Sequence, residues 1–580
     1  MAGMRAIGSL LVVMMIAAPS AANAQAVKVD SGKRGANDAM ASTQVNLASL
    51  PQITPQVAAT HLAAPPFGTG TTWAEYAARK AAAGAQSQAL RNGRQKSAVP
   101  ASPNATGVET PTVAAFGALK FGCAGTDLVP PDQGLAVNQS YVLEMVNACI
   151  AVYDKAGHLQ PGFPKSLNAF FGRSPSALIF DPRAIYDWAN NRFIAIATMA
   201  GDLIKPRIFV AVSQSSNPLG TWKLYILPGP GDTQVGDISD FPELGQDRSA
   251  VYLTFNRFDS VENFLGAEII ILPKAKMYAG VNFTYVFWTG MKEGGQLVDT
   301  IQPANEFSPS DHPRAEFLIN SRNINFGGSQ CSSSTCNGLV VWALSNPLEI
   351  GGSSELSGVF VPTANDYSLP PPATQPSAIQ PACTSGGCID TGDVRISGGV
   401  TYHAGSLFGS LNTASQRALG SHVLWFEVKP ALSDIGSNGC NTERCPDITS
   451  ARIVNEDCFM CTVAGNWYYA TLQPDLENNV AMVVHYSDAS SYPSVLVTSR
   501  RATLDPNMMH DSGTYLIAPV ASYNSPIGET PPFRWGDYTA TAPDLTSANS
   551  QVWFAGEFSN AAGVWRTAIG HLSFNKIVDP

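Results

Sequence analysis

Carboxylates and guanidiniums recur in this chain just ahead of short apolar runs. Asp132 precedes "GLAV". Asp181 and Arg183 stand in "IFDPRAIYD", and Asp240 and Glu243 in "ISDFPELGQ". Asp311, His312 and Arg314 stand in "SDHPRAEFLIN". Asp393 and Arg395 fall in "TGDVRISGG", with His403 just beyond, and Arg534 and Asp537 in "FRWGDYTA". Two carboxylates facing one substrate can divide the acid and base roles of glycosidic cleavage, and an imidazole can act as general base. Asp181, Asp240, Asp537, His312 and His403 are therefore the candidate catalytic groups. Arg offers a planar fork suited to carboxylate or phosphate. Arg183, Arg314 and Arg534, together with Asp132, Trp535 and Tyr538, are the candidate ligand-binding groups. Trp467, Tyr468 and Tyr469 join Trp535 and Tyr538 as side chains that suit stacking on sugar rings. Each residue also has a plain structural role open to it. An Asp ahead of a strand accepts backbone N–H groups and sets a turn, an Arg can pair across neighbouring units, and alternate residues of a strand are core.

No stretch is a specific catalytic signature: the chain contains no H-E-x-x-H, no G-x-S-x-G and no P-loop. "DTGD" (Asp390–Asp393) and "PDLENN" (Pro474–Asn479) offer oxygen ligands for Ca²⁺, but neither has the spacing of an EF-hand loop. No metal site and no cofactor is expected. The formal charge of −10 argues against a broad nucleic-acid or anionic-membrane surface.

The elements that must position these groups are strands. Charged residues make up only 14% of the chain, while Gly (50) and Pro (41) are plentiful, the balance of a turn-rich β protein. One strand type recurs at "ACIAVYDKAG", "RIFVAVSQSSNPLGTW", "AEIIILPKAKMYAG", "GLVVWALSNPL", "HVLWFEVKPAL", "SVLVTSRRATLDP" and "WRTAIGHLSF". Each copy follows another strand-like run, such as "YVLEMVN", "RFIAIAT" or "QVWFAGEF". Smaller echoes keep a broadly consistent order: "SNPL" twice, "SNPLGTWK" and "SNAAGVWR", "PDL" twice, and "PRA" at Pro182–Ala184 and Pro313–Ala315. The repeated "PRA" predicts matching places for Arg183 and Arg314. Units of about four short strands, each unable to bury both faces alone, predict an all-β fold, a seven-bladed β-propeller. "VAAFGALKF" (Val113–Phe121) is expected to pair into the last sheet and close the ring. Stacked β-sandwich domains are the alternative. In a propeller the first strand of each unit lines the axis, so the charged approach segments converge on one pocket.

The expected domains are 1–24, 25–112 and 113–580. "MAGMRAIGSLLVVMMIAAPSAANAQA" reads as a signal peptide cleaved after Ala24. The next segment is rich in Ala, Gln, Ser, Thr and Pro. It is expected to be disordered, a spacer or pro-segment, with one helix within "TWAEYAARKAAAGAQSQALRNGRQ". Ten cysteines suit five disulfides in an oxidising compartment: Cys331/Cys336, Cys383/Cys388, Cys440/Cys445, Cys458/Cys461 and the remaining Cys123 and Cys149. The protein is expected to be secreted or periplasmic, monomeric and without a membrane span.

The elements "PPDQGLAVNQSYVLEMVN", "IFDPRAIYD", "SQSSNPLGTW" and "RWGDYTA…VWFAGEF" resemble a family of secreted bacterial seven-bladed β-propeller proteins, with "RWGDY" the most specific. That resemblance implies a fold and export and no particular reaction. "SNPLGTW" is distantly similar to the sialidase Asp-box, with Pro218 where the Asp should stand. Two functions are carried forward. One is binding of an extracellular glycan in the axial pocket, with cleavage of the glycoside hydrolase or polysaccharide lyase type by paired carboxylates. The other is a non-catalytic adhesion or interaction scaffold that binds a surface protein through its rim loops.

Overall fold

The structure, a computed structural model, describes residues 29–53, 62–63, 78–85 and 112–574. The last span lacks 124–127, 200–206, 230–232, 262, 324–330, 332–334, 350–353, 377–388, 416–419, 434–446, 504–506, 510–512, 529–530 and 547–550. The expected signal peptide and Cys383, Cys388, Cys440 and Cys445 lie outside the described residues. Three disulfides are present among them: Cys123–Cys149, Cys331–Cys336 and Cys458–Cys461.

From Gly134 onward the described chain is almost entirely β, with only short helices at Leu167–Phe170 and Lys274–Ala279. It forms seven successive antiparallel units of four strands. Unit one is Gly134–Val137, Tyr141–Val146, Cys149–Asp154 and Lys165–Ser166. The seven recurring strands of the sequence are the third strands, and each pairs with the one before it. The last unit contains Ala540–Asp544, Gln551–Ser559 and Trp565–Ser573, and its fourth strand is Thr112–Lys120 from the other end of the domain. The expected closing partner of the last sheet is thus in place.

The first strands of units one to seven are Gly134–Val137, Ile179–Asp187, Ile238–Gln246, Gln302–Glu306, Val400–His403, Asn466–Pro474 and Ala540–Asp544. Each packs against the next, and the seventh packs against the first. Each sheet buries its faces against its neighbours. Ile194, Ile196, Val210 and Val212 of unit two meet Val251, Leu253, Ile270 and Leu272 of unit three, which is why Ala250–Phe258 is apolar-rich and buried along its whole length. At about 25 cal/mol per Å² of apolar surface, these shared faces are the main cohesion between units.

Two sequence expectations are corrected. The first is disorder throughout 25–112. Lys33–Asn46 is a strand that pairs with both Phe283–Thr289 and Thr221–Pro228, the outermost strands of units three and two. Those open edges supply the ladder that "KRGANDAMASTQVN" does not announce by composition, and Ala39 and Leu47 are buried there. A helix over 78–85 falls within the expected helical stretch. The second correction concerns unit four. Its first strand is the polar Gln302–Glu306, whereas "PRAEF" leads into the second strand, Glu316–Ser321. Arg183 lies on a first strand and Arg314 does not, so the two "PRA" copies are not equivalent.

Candidate functional site

The first strands share a local irregularity. In unit two, Asp181 and Pro182 stand opposite one residue of the neighbouring strand; Phe241 and Pro242 do so in unit three, and Tyr469 and Ala470 in unit six. These are β-bulges. The bulge explains how Pro182 and Pro242 are tolerated inside paired strands, since the ladder asks no N–H of them. The leading residue is left-handed each time: Asp181 (φ 51), Phe241 (φ 53) and Tyr469 (φ 52). Asp132 (φ 48) and Thr300 (φ 43) hold the matching positions of units one and four. Just beyond the bulges, Arg183, Glu243 and Thr471 line the axial interior.

At that end Asp132, Asp181, Asp240 and Asp537 come together from units one, two, three and seven. Asp132 accepts from the Asp537 backbone N–H at 2.9 Å and from the Asn147 amide at 2.7 Å, while the Asp181 N–H donates to the same Asn147 side chain at 2.7 Å. Arg534 donates to Asp537 at 2.6 Å. Arg395 forms a two-pronged pair with Asp393 (2.9 and 2.6 Å) and lies 4.6 Å over the Phe241 ring. Burial, reinforced by repulsion from Asp240 and Asp537, pushes Asp181 up to about 8. Burial also raises Asp240 to about 7, with Arg395 opposing and Asp537 adding to the rise. Asp132 is held well above the ordinary carboxylate range by burial and then by Asp537 and Asp181. Burial and mutual repulsion thus favour the protonated form of Asp132, Asp181 and Asp240. Asp537, whose side chain is 25% exposed, faces solvent beside its guanidinium.

Inside the ring, Arg183 is a buried crosspiece. It pairs with Glu243 and donates to the Pro242 carbonyl at 3.0 Å and the Ser397 carbonyl at 3.3 Å. Its guanidinium lies 3.2 Å over the Tyr538 ring. The remaining axial cavity is about 60 Å³ and takes lining residues from all seven units, among them Gly134, Arg183, Glu243, Asn305, Thr401, Thr471 and Thr539.

The other predicted residues are placed elsewhere. His403 is at the far end of its strand, bonded to Asp311 at 2.7 Å and to the Leu476 carbonyl at 3.3 Å. His312 lines a separate cleft of about 240 Å³ at that same far end, with Asp187, Asp247, Arg248 and Glu306. Six residues of strand separate Asp181 from Asp187, roughly 20 Å at 3.3 Å per residue. Neither histidine therefore joins the aspartates. Arg314 is exposed, donating to the Ser433 carbonyl. Trp535 is fully buried against Tyr523, and Tyr538 is buried beneath Arg183. Trp467, Tyr468 and Tyr469 are likewise core, so none of these rings offers a face for sugar stacking. Asp475 in "PDLENN" caps its own turn through the Glu477 and Asn479 N–H groups. Among the described residues no group of three or more His, Cys, Asp or Glu is arranged to hold a metal ion, and no helix is long and apolar enough to cross a membrane.

Sequence reasoning missed Asp299. It immediately precedes the left-handed Thr300 just as Asp240 precedes Phe241, and burial pushes it to about 7. The signal was present in "DTIQP", whose short polar strand does not read as β.

No family model and no curated protein matches the chain. Among solved structures it is similar to a phage phi92 endosialidase (9% identity, 81% of this chain and 70% of that one, TM-score 0.33). It is also similar to the Dos1 propeller (8%, 75% and 76%, TM-score 0.31) and to an exo-β-1,3-galactanase from Clostridium thermocellum (10%, 67% and 78%, TM-score 0.27).

Proposed function

We propose that this chain is a closed seven-bladed β-propeller of an oxidising compartment that binds an extracellular glycan at the aspartate-bearing end of its axis. There it cleaves a glycosidic bond with paired carboxylates. The contact of the seventh first strand with the first supports closure, and the three disulfides suit export. One observation carries the catalytic reading: Asp181, buried and pushed up to about 8, sits in the same carboxylate group as the partly exposed Asp537, which is ion-paired with Arg534. Two carboxylates in unlike surroundings, one buried and one partly solvated beside a guanidinium, can divide acid and base work. Asp181 is the proton donor to the leaving oxygen and Asp537 the base or nucleophile. Arg183, Asp132 and Asp240 hold the group in place. The glycan approaches from the rim, because the axis below is filled by the Arg183–Glu243 crosspiece.

That filling also supports the second reading, a non-catalytic scaffold whose rim loops engage a surface protein. The two readings separate in one experiment. The purified protein, Asp181→Asn and Asp537→Asn are screened for reducing-end or unsaturated-sugar release, and for binding, against a polysaccharide panel. Release by the native chain, abolished in Asp537→Asn with binding retained, supports the enzyme. Binding to no glycan by any of the three sinks the glycan reading and leaves the scaffold.

A further inference from the structure

Lys80, on the helix over 78–85, has no exposed surface. Its ammonium donates to the Pro370 carbonyl at 2.7 Å, the Gly392 carbonyl at 2.7 Å and the Thr391 hydroxyl at 2.9 Å, and lies 3.3 Å from the Asp390 carboxylate. An ammonium has three N–H bonds, so the three acceptors satisfy it fully and the carboxylate supplies the countercharge. The cage is built independently of Lys80. Thr391 gives its own proton to the Pro371 carbonyl at 2.9 Å, which leaves a lone pair facing inward. Gly392 is left-handed (φ 65), and a Cβ there would stand 2.8 Å from the Tyr469 ring, so only glycine lets its carbonyl take this direction. The Asp390 N–H is anchored on the Phe533 carbonyl at 2.8 Å, and the next residue, Arg534, is the partner of Asp537. The cage thus sits on the same rim as the aspartates. Burial lowers the Lys80 affinity for its proton, with Asp390 and Asp393 opposing.

We propose that Pro370, Asp390, Thr391 and Gly392 form a recognition site for an unbranched primary alkylammonium, the end of a lysine side chain, and that Lys80 is its tethered occupant. The site does not depend on the glycan reading. Its shape discriminates. A guanidinium presents its N–H bonds in a planar fork and not as the tripod of an ammonium, and an amino sugar brings a ring where Lys80 brings an unbranched, fully buried stem. With Lys80 withdrawn, the site accepts a lysine from another chain beside the axial aspartates.

The test uses the full chain and its Lys80→Ala, Lys80→Arg and Asp390→Asn variants, with hydrogen exchange read over 78–85 and titration with n-butylammonium. Exchange over 78–85 is expected to rise at least tenfold in Lys80→Ala. The same rise is expected in Lys80→Arg despite its retained charge, and a smaller one in Asp390→Asn. Lys80→Ala is expected to bind n-butylammonium and Nα-acetyl-lysinamide saturably, at least tenfold more tightly than the native chain or Lys80→Ala/Asp390→Asn. Glucosamine is expected to be silent. Unchanged exchange in Lys80→Ala overturns the proposal, as does equal uptake of n-butylammonium by native and Lys80→Ala proteins, or preference for glucosamine. Should Lys80→Ala fail to fold, Asp390→Asn decides alone: native-like exchange over 78–85 in that variant refutes the cage.

Discussion

Replacing Arg183 by Met keeps much of the side-chain volume and removes the guanidinium that crosses the axis. Three polar contacts are lost, to Glu243, the Pro242 carbonyl and the Ser397 carbonyl. Glu243, whose side chain is 2% exposed, is left without its cation. Breaking a buried pair in this way costs about 3–5 kcal/mol when the stranded charge stays ionised. Glu243 has a way out, because burial already pushes it from 4.5 to about 7 even with Arg183 opposing. The unfolded chain releases this proton near 4.5 and the folded chain holds it to about 7. Between those values the folded state binds more protons, so this group's contribution to stability falls as pH rises through the window. At about 1.4 kcal/mol per pK unit, the native penalty above pH 7 is about 3 kcal/mol. Without Arg183 the folded value climbs higher and the fall continues into alkaline pH. Arg183→Met should therefore cost only about 1–2 kcal/mol at pH 6, mainly lost hydrogen bonds, and about 3–5 kcal/mol at pH 8.5. Adding Glu243→Gln should flatten that difference. Urea-unfolding midpoints at the two pH values read the effect. An Arg183→Met deficit that is equal at pH 6 and 8.5, or one that Glu243→Gln does not flatten, would refute the assignment of Glu243 as the proton-carrying partner.

Three further outcomes are expected. Ending the chain after Ala540 removes Gln551–Ser559 and Trp565–Ser573, strips Thr112–Lys120 of its ladder to Trp565–Ser573 and exposes the apolar faces of units six and one. Soluble folded protein should be lost, and a truncated chain with an unchanged melting profile would refute ring closure. Deleting residues 33–46 frees the outer edges of units two and three and should lower the melting temperature by several degrees while leaving the protein folded. A melting curve identical to that of the native chain would mean the strand adds nothing. Burial alone would lower the His403 imidazole, but the Asp311 hydrogen bond and charge override it and the value is raised. Stability from this pair is then present below the ordinary histidine value of 6.5 and is lost as pH rises through the folded one, and Asp311→Asn should bring the titration, followed by NMR, down below the native value.

The repeat was legible because each unit carries a third strand such as "RIFVAVS" or "SVLVTSR", a run of β-branched residues buried on both faces. Asp132, Asp181, Asp240 and Asp537 were legible as a set because each stands at or just ahead of the start of its unit's first strand, although Asp240 lies one residue before the position that Asp132 and Asp181 hold. What failed did so for physical reasons. "QPANE" forms the first strand of unit four with hardly an apolar residue, because this strand faces a polar axis and its ladder to Glu316–Ser321 is short. With that strand invisible, "PRAEF" took its place, and Arg314, His312 and the expected equivalence with Arg183 followed it. "KRGANDAMASTQVN" becomes a strand only because two sheet edges await it, a case of tertiary context deciding β structure. The aromatics of "NWYY" and "RWGDY" are core: Trp467 packs on Phe459 and Tyr486, and Trp535 on Tyr523 and His485.

The same bulge links the fold to the site. Holding a residue other than glycine in the left-handed region costs on the order of 1 kcal/mol, and five units accept that cost within or just ahead of the first strand. An unbulged strand would alternate strictly, sending Asp181 and Arg183 to the same face. With one extra residue, the aspartate stays at the mouth while the arginine two positions later crosses the axis to Glu243. In units two and three, buried carboxylates at the mouth and the Arg183–Glu243 crosspiece beneath them thus lie on either side of the same backbone irregularity. The cluster therefore depends on the φ of Asp132, Asp181, Phe241 and Thr300 as much as on the carboxylates themselves.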